Sequence, residues 1–334
     1  MGTLEVDLLL VGAGPVGLYG AYYAGARGLR TAVVDSLPEL GGQITALYPE
    51  KPIYDVAGFP AVKGRDLVEG LRAQAARYDP TYLLGESATT LERAADGAWL
   101  VGTDAGTTVR CGAVVLTGGI GTFTPRPLPT GEEFLGRGLA YFVPALSDYR
   151  DRDVVIVGGG DSACDWALAL HALARSVTVV HRRKAFRAHA ATVDAMLSSG
   201  ITVLVDAEVT RVLGLDAVDA VEVGVKGEGE VRVLSCQRLV AALGFLADLG
   251  AVREWGLDLH DNRHVVVDTR MRSSVPGVYA AGDITDYAGK VRLISVGFGE
   301  VATAVNNAAV DLDPAAMLFP GHSTDSAPVP VPTA

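Results

Sequence analysis

Cysteine is scarce in this 334-residue chain. Cys111, Cys164 and Cys236 are its three, odd in number and far apart, so no disulfide framework and no C-x-x-C pair is present. That usage points to a reducing compartment, the cytoplasm, with each thiol filling core space. Positive charge is also in deficit: 28 Lys and Arg stand against 39 Asp and Glu, a net charge of −11, which argues against nucleic-acid binding while leaving room for a local basic patch. A metal centre is missing too. His260 and His264 have H-x-x-x-H spacing, but Asp261 and Asn262 between them read as a turn, and no further ligand is evident. Ser162 occupies a nucleophile-elbow position without the second glycine of that motif. The 19 residues from Leu8 to Ala26 carry no charge, yet Glu5 and Asp7 stand where a basic leader would be and glycines interrupt the run. It reads as a strand followed by a helix. With 49% hydrophobic and 20% charged residues, the rest is ordinary for a soluble globular chain.

Two glycine-rich turns of one design are present, 146 positions apart: VGAGPVG from Val11 to Gly17 and VGGGDSA from Val157 to Ala163, each closing an apolar run. In strand–turn–helix context this is the dinucleotide fingerprint. Gly12 permits the tight turn, Gly14 lets the backbone approach a pyrophosphate, Pro15 opens the helix and Gly17 lets it pack on the strand. The helix N-terminus then faces the phosphates. The next strand, Thr31–Val34, ends in Asp35, 23 residues after Gly12, where a carboxylate can bond a ribose hydroxyl and would repel a 2′-phosphate. The second unit uses Gly158, Gly160, Asp161, Ser162 and Ala163 at its turn, and its next strand, Val177–Val180, ends in His181, Arg182, Arg183 and Lys184, with Arg187 one helical turn on. Guanidinium forks match a phosphate in charge and geometry, so this site is built for NADP(H).

Length and the repeat predict an α/β chain of two Rossmann-like dinucleotide-binding domains, each in three layers. Val114–Thr117 before Gly118-Gly119 has a counterpart in Leu239–Leu243 before Gly244, and each is preceded by a cysteine, which points to an internal duplication. The expected first domain is discontinuous, residues 1–117 and 249–334, with residues 118–248 inserted as the second. A long helix is expected from about Gly299 to Ala309, and the Pro-, Ser- and Ala-rich stretch from Pro320 reads as a tail.

The segment SSVPGVYAAGD, Ser273–Asp283, resembles the second FAD signature of the two-dinucleotide-fold flavoproteins, whose terminal aspartate, here Asp283, binds the ribityl chain. Together with LGGQ (Leu40–Gln43, including Gly42 and Gln43), TGG at Thr117, HRRKAFRA at His181 and AAGD, the chain is similar to the thioredoxin reductase group. The C-x-x-C pair of that group is missing, since Leu139–Arg152 has no cysteine, which removes the internal relay to a disulfide. The longer matches GGQITALYPEKPIYDVAGFP (Gly41–Pro60), GGGDSACDWAL (Gly158–Leu168) and SVGFGEVATAVNNA (Ser295–Ala308) resemble ferredoxin or flavodoxin NADP reductases of the thioredoxin-reductase-like type.

That resemblance implies FAD at the first site and NADPH at the second, with Tyr48 stacked on the flavin ring; Phe123, just beyond the Gly118-Gly119 break, is a further candidate for ring contact and could equally pack in a hinge. The resemblance also implies a homodimer in which a His-Ser pair, here His322-Ser323, covers the other ring face from the second subunit. Hydride would pass from NADPH to FAD N5, and electrons would then leave singly to an iron–sulfur or FMN protein, ferredoxin or flavodoxin. No metal and no side-chain nucleophile is called for. An acidic carrier needs a locally basic face, for which Lys51, Arg126, Lys290 and Arg292 are candidates. The rival readings are a related flavin reductase acting on a small disulfide, quinone or oxygen, and a nonenzymatic redox sensor.

Overall fold

Leu8, Leu9 and Leu10 have no exposed surface, because the strand they form is covered on both faces, as a central parallel strand must be. The computed structural model describes residues 2–321. The chain divides into unit 1, Met1–Thr122 with Ala247–Ala334, and unit 2, Phe123–Leu246.

Unit 1 begins its sheet with β1 (Leu8–Val11), which turns into α1 (Pro15–Ala26) and returns as β2 (Thr31–Asp35). A short helix α2 (Gln43–Leu47) and the amphipathic α3 (Gly64–Ala75) lead to β3 (Thr81–Leu84). An antiparallel ribbon, Ala88–Arg93, Trp99–Thr103 and Thr108–Cys111, follows and adds its inward residues Trp99, Val101 and Val109 to the core of the sheet. Then β4 (Ala113–Leu116) pairs in parallel with β1, Leu116 opposite Val11, so that the turn after each strand emerges at the same sheet end.

Unit 2 repeats this plan. Its sheet runs β5 (Asp153–Val157), α4 (Asp161–His171), β6 (Ser176–His181), α5 (Ala190–Ser198) and β7 (Thr202–Val205), then an antiparallel ribbon (Ala207–Gly214, Val218–Val225, Val231–Ser235), then β8 (Arg238–Ala241) back beside β5. The two sheets have the same internal order, β4-β1-β2-β3 in one and β8-β5-β6-β7 in the other, all parallel. Cys111 and Cys236 are both buried at equivalent places ahead of the closing strand. The two crossing segments, Thr122–Pro125 and Phe245–Asp248, pair as a two-stranded sheet.

The chain re-enters unit 1 at Ala247, adds β9 (Val278–Ala280) to the sheet parallel to β4, and then forms α6 (Ile294–Leu312). This last helix starts five residues before the expected Gly299. Gly297, inside the helix, is a packing position: a Cβ there would come within 2.5 Å of Val16 Cγ2. Likewise a Cβ at Gly20 would meet Val301 Cγ2 at 2.7 Å, so these glycines let α1 and α6 approach closely over the sheet.

Candidate functional site

The end of β1 is shaped by contacts that leave no room for side chains. A Cβ at Gly12 (φ +117°) would lie 2.6 Å from the Thr117 carbonyl, and one at Gly17 would lie 1.9 Å from the Gly12 oxygen. Thr117, buried at the end of β4, donates its hydroxyl to the Gly12 carbonyl at 2.7 Å and locks the turn. Gly14 is the exception. A Cβ there would touch nothing, so the space above it is open, and it opens at the N-terminus of α1, where Pro15 takes the first position and no side chain caps the free N–H groups. Room without a Cβ, unpaired N–H groups and the helix dipole together fit a pyrophosphate.

Asp35 lies beside this turn. Its Oδ2 accepts the Ala13 N–H at 2.6 Å and its Oδ1 the Leu37 N–H at 2.8 Å, leaving each oxygen a lone pair for a ribose hydroxyl. Burial pushes its carboxyl above the usual range, against the pull of those two N–H groups. Gly41 and Gly42 bring the next segment onto the same turn: Gly41 donates to the Ala13 carbonyl, and a Cβ at Gly42 (φ +57°) would lie 3.0 Å from Gly14 Cα. Gln43 follows at the start of α2 and reaches Gly119, where a Cβ would stand 3.2 Å from its Nε2. Tyr48 caps the C-terminal end of α2 and packs on the Ile44–Leu67–Val68 cluster. Burial, with the charges of Asp283 and Asp55, pushes its phenol up to about 12, so it stays a neutral ring and hydroxyl donor. Asp283 follows β9, and among the described residues nothing hydrogen-bonds its carboxylate; burial raises it and the charges of Lys290 and Arg292 oppose that.

In unit 2, a Cβ at Gly158 would lie 2.4 Å from the Ala242 oxygen, the counterpart of Gly12 against Thr117, while Gly160 is open as Gly14 is. Ala163 is buried beneath the turn and Ser162 is exposed in the first turn of α4. Arg182, Arg183 and Arg187 are exposed and make no ion pair among the described residues, whereas Arg30, Arg72, Arg175 and Arg232 each fork onto a carboxylate. The segment carrying them is tied to the turn: Arg187 N–H donates to the Gly159 carbonyl at 2.7 Å, and His189 N–H donates to Asp161 Oδ1 at 2.9 Å. His181 sits behind the turn, 8% exposed, with its ring where a Cβ of Gly159 would stand, stacked on Phe186 and bonded through Nε2 to the Ala185 carbonyl. Asp161 and His181 are thus placed to hold the arginine segment against the turn.

Lys290 is the clear departure from expectation. It is no docking cation, because its ammonium is buried and paired with Glu300. Arg292 faces Asp286 at 3.7 Å, and Arg126 is exposed. Sequence reasoning missed Thr117's hydroxyl and Glu300; the one signal for Glu300 was a carboxylate among the small and apolar residues of the first half of α6. His322 and Ser323 lie outside the described residues, as does the side chain of Phe123. All three cysteines are buried and free, with burial pushing the thiols of Cys111 and Cys236 up to about 12 and that of Cys164 up to about 11. His260 and His264 pair across a hairpin whose Asp261 and Asn262 are left-handed, and no group of three metal-ligating side chains occurs among the described residues. No helix among them is long and apolar enough to cross a membrane.

Residues 6–308 match the pyridine nucleotide-disulphide oxidoreductase family. The chain is 61% identical to a ferredoxin–NADP reductase of Nocardioides sp., over 97% of this chain and 98% of that one. It is 62% identical to a ferredoxin–NADP reductase of Salinispora tropica, over 96% and 99%. Among solved structures, the thioredoxin reductase of T. acidophilum superposes with a TM-score of 0.77 at 25% identity, over 92% of this chain and 98% of that one. With its two parallel sheets and paired glycine turns, the chain belongs to the pyridine nucleotide-disulphide oxidoreductase family, and within it to the ferredoxin–NADP reductases.

Proposed function

We propose that this chain is an FAD-dependent ferredoxin–NADP reductase that binds FAD in unit 1 and NADP(H) in unit 2 and passes electrons to ferredoxin without a thiol relay. The observation that carries this is the contrast between the ends of β2 and β6. One presents a carboxylate, Asp35, bound to the glycine turn, and the other leads into three exposed arginines that make no ion pair among the described residues. The first suits a ribose with free hydroxyls and the second a 2′-phosphate. Bound FAD supplies hydride acceptance at N5 and single-electron release to an iron–sulfur or FMN centre.

The chain's own part is alignment. Gly12, Gly14, Pro15 and Gly17 cradle the FAD pyrophosphate, Asp35 takes the adenosine ribose, Gly42 and Gln43 close over the cradle, and Asp283 accepts from the ribityl chain. Tyr48 presents a neutral aromatic face to the flavin, with Phe123 as a second contact. Gly158, Gly160, Ser162 and Ala163 form the NADPH turn, Arg182, Arg183 and Arg187 read the 2′-phosphate, and Asp161 and His181 steady the segment that carries them. With every cysteine buried, no side chain offers a redox-active thiol, and this supports direct transfer from the flavin. The unpaired thiols also support a cytoplasmic setting. We further place the chain in a homodimer, with His322 and Ser323 of the second subunit over the far ring face, and accept flavodoxin beside ferredoxin as a carrier.

Steady-state NADPH oxidation with ferredoxin, flavodoxin, thioredoxin, a quinone and a small disulfide in parallel tests this. Turnover with ferredoxin well above that with the small acceptors is the expected result. A protein that stays colourless after FAD addition, or that turns over only disulfides, overturns it.

A further inference from the structure

A buried ion pair stands directly behind Asp283. Lys290 and Glu300 have side chains 2% and 5% exposed, with Lys290 Nζ 2.6 Å from Glu300 Oε1 and 2.8 Å from Oε2. The remaining ammonium hydrogen goes to the Gly282 carbonyl at 2.9 Å, and Glu300 Oε2 accepts the Gly282 N–H at 2.7 Å. The two ends of one ion pair therefore hold both peptide groups of the residue that precedes Asp283. Tyr287 donates its hydroxyl to Glu300 Oε1 at 2.6 Å, and Thr285 donates its own to the Gly282 carbonyl at 2.8 Å, which completes the network.

Stability alone does not account for this arrangement. Taking two charges out of water costs several kcal/mol each, and a buried pair is often matched or bettered by apolar side chains of similar volume. A pair with fixed directions can, however, specify where a peptide lies. Gly282 (φ +84°) is wedged between α1 and α6: a Cβ on it would lie 3.2 Å from Val16 Cγ2, and one on Gly297 would lie 3.4 Å from Gly282 Cα. Gly297 and Glu300, three residues apart, share one face of α6. Val16 belongs to the first turn of the helix that faces the pyrophosphate. The clamp thus sets Asp283 relative to the α1 N-terminus, the two protein ends of the flavin anchor.

We propose that Lys290 and Glu300 are positioning residues of the flavin site, which hold the Gly282–Asp283 peptide so that the Asp283 carboxylate meets the ribityl chain. This rests on the FAD reading above. The test uses full-length apoprotein and compares wild type with the double variant Lys290→Met/Glu300→Leu, whose apolar pair fills the space without reaching either peptide group. Three quantities are read: the unfolding temperature of the apoprotein, the FAD dissociation constant from quenching of FAD fluorescence, and the affinity of unit 2 for adenosine 2′,5′-bisphosphate. The expected result is a folded apoprotein with a lowered unfolding temperature, because the buried Gly282 N–H loses its acceptor, together with unchanged bisphosphate binding and FAD held at least tenfold more weakly. FAD binding as tight as in wild type overturns the proposal. Should the double variant not fold, Tyr287→Phe decides, since it removes only the outer bond to Glu300. A threefold or greater weakening of FAD supports the clamp, and an unchanged affinity overturns it. Wild-type protein that takes up no FAD would instead overturn the proposed function.

Discussion

Asp35 accepts the backbone N–H of Ala13 at 2.6 Å, a bond across 22 positions that ties the end of β2 to the glycine turn after β1. Because Leu37 N–H occupies the other oxygen, Asp35→Asn must turn its amide toward one of two donors. Losing a charge-assisted bond costs about 1.5–3 kcal/mol. The ribose hydroxyl that the carboxylate would accept also loses its charged acceptor, and we expect that loss to appear as weaker FAD binding by apoprotein titration, with NADPH affinity unchanged. Equal weakening of both nucleotides contradicts it.

Gly14 and Gly17 are three residues apart and predict opposite behaviour. A Cβ at Gly14 meets no protein atom, so Gly14→Ala should fold with a near-native unfolding temperature as apoprotein yet bind FAD roughly tenfold or more weakly, because the methyl occupies the phosphate's space. Gly17→Ala places its Cβ 1.9 Å from the Gly12 oxygen and should lose about 3 kcal/mol of stability, the upper end of the overpacking range. Thermal unfolding of the two apoproteins checks the contrast; a stable Gly17→Ala protein is inconsistent with the packing described.

How far these sites were readable from sequence depended on whether a residue's role was local. The glycine turns and Asp35 were readable because a strand, its turn and the next strand's end are fixed by short-range geometry. Glu300 and Lys290 were not: a carboxylate in a largely apolar helix and a lysine in a loop meet only through the tertiary packing of α6 on the β9 turn. His181 stood at the ribose position in sequence, but both faces of β6 are covered, so the last residue of that strand turns inward with Val177 and Val179 and lies under Gly159. The early start of α6 was hidden for a similar reason, since Gly297 is there to admit Val16 and marks no helix end.

The exposed arginines after β6 should govern coenzyme choice. Arg182→Ala and Arg183→Ala are each expected to lower kcat/KM for NADPH by roughly 10- to 150-fold, the equivalent of a lost charged hydrogen bond, and to leave NADH nearly unaffected. Steady-state kinetics with both coenzymes decide this. Equal losses would show that the guanidinium does not read the 2′-phosphate.

Acid should release a brace at the other end of unit 2. The hydrogen-bonded guanidinium of Arg175 holds the Asp153 carboxyl down to about 2, from an ordinary 3.8. A folded-state value below the unfolded one means that the pair stabilises unit 2 above pH 3.8 and that this contribution is lost as pH falls towards about 2. Asp153→Asn should therefore unfold at a lower temperature than wild type at neutral pH, with the gap closing across that window. A gap independent of pH contradicts the assignment.

Because all three thiols are buried, removing them tests directly whether electrons leave from the flavin itself. The variant Cys111→Ala/Cys164→Ala/Cys236→Ala, loaded with FAD, is reduced anaerobically with NADPH and mixed with oxidised ferredoxin in one syringe or oxidised thioredoxin in another, while flavin absorbance is followed. Rapid reoxidation by ferredoxin is expected, at a rate within about twofold of wild type, and none by thioredoxin. Reoxidation that disappears with the cysteines, or that thioredoxin drives as fast as ferredoxin, would contradict direct transfer from the flavin.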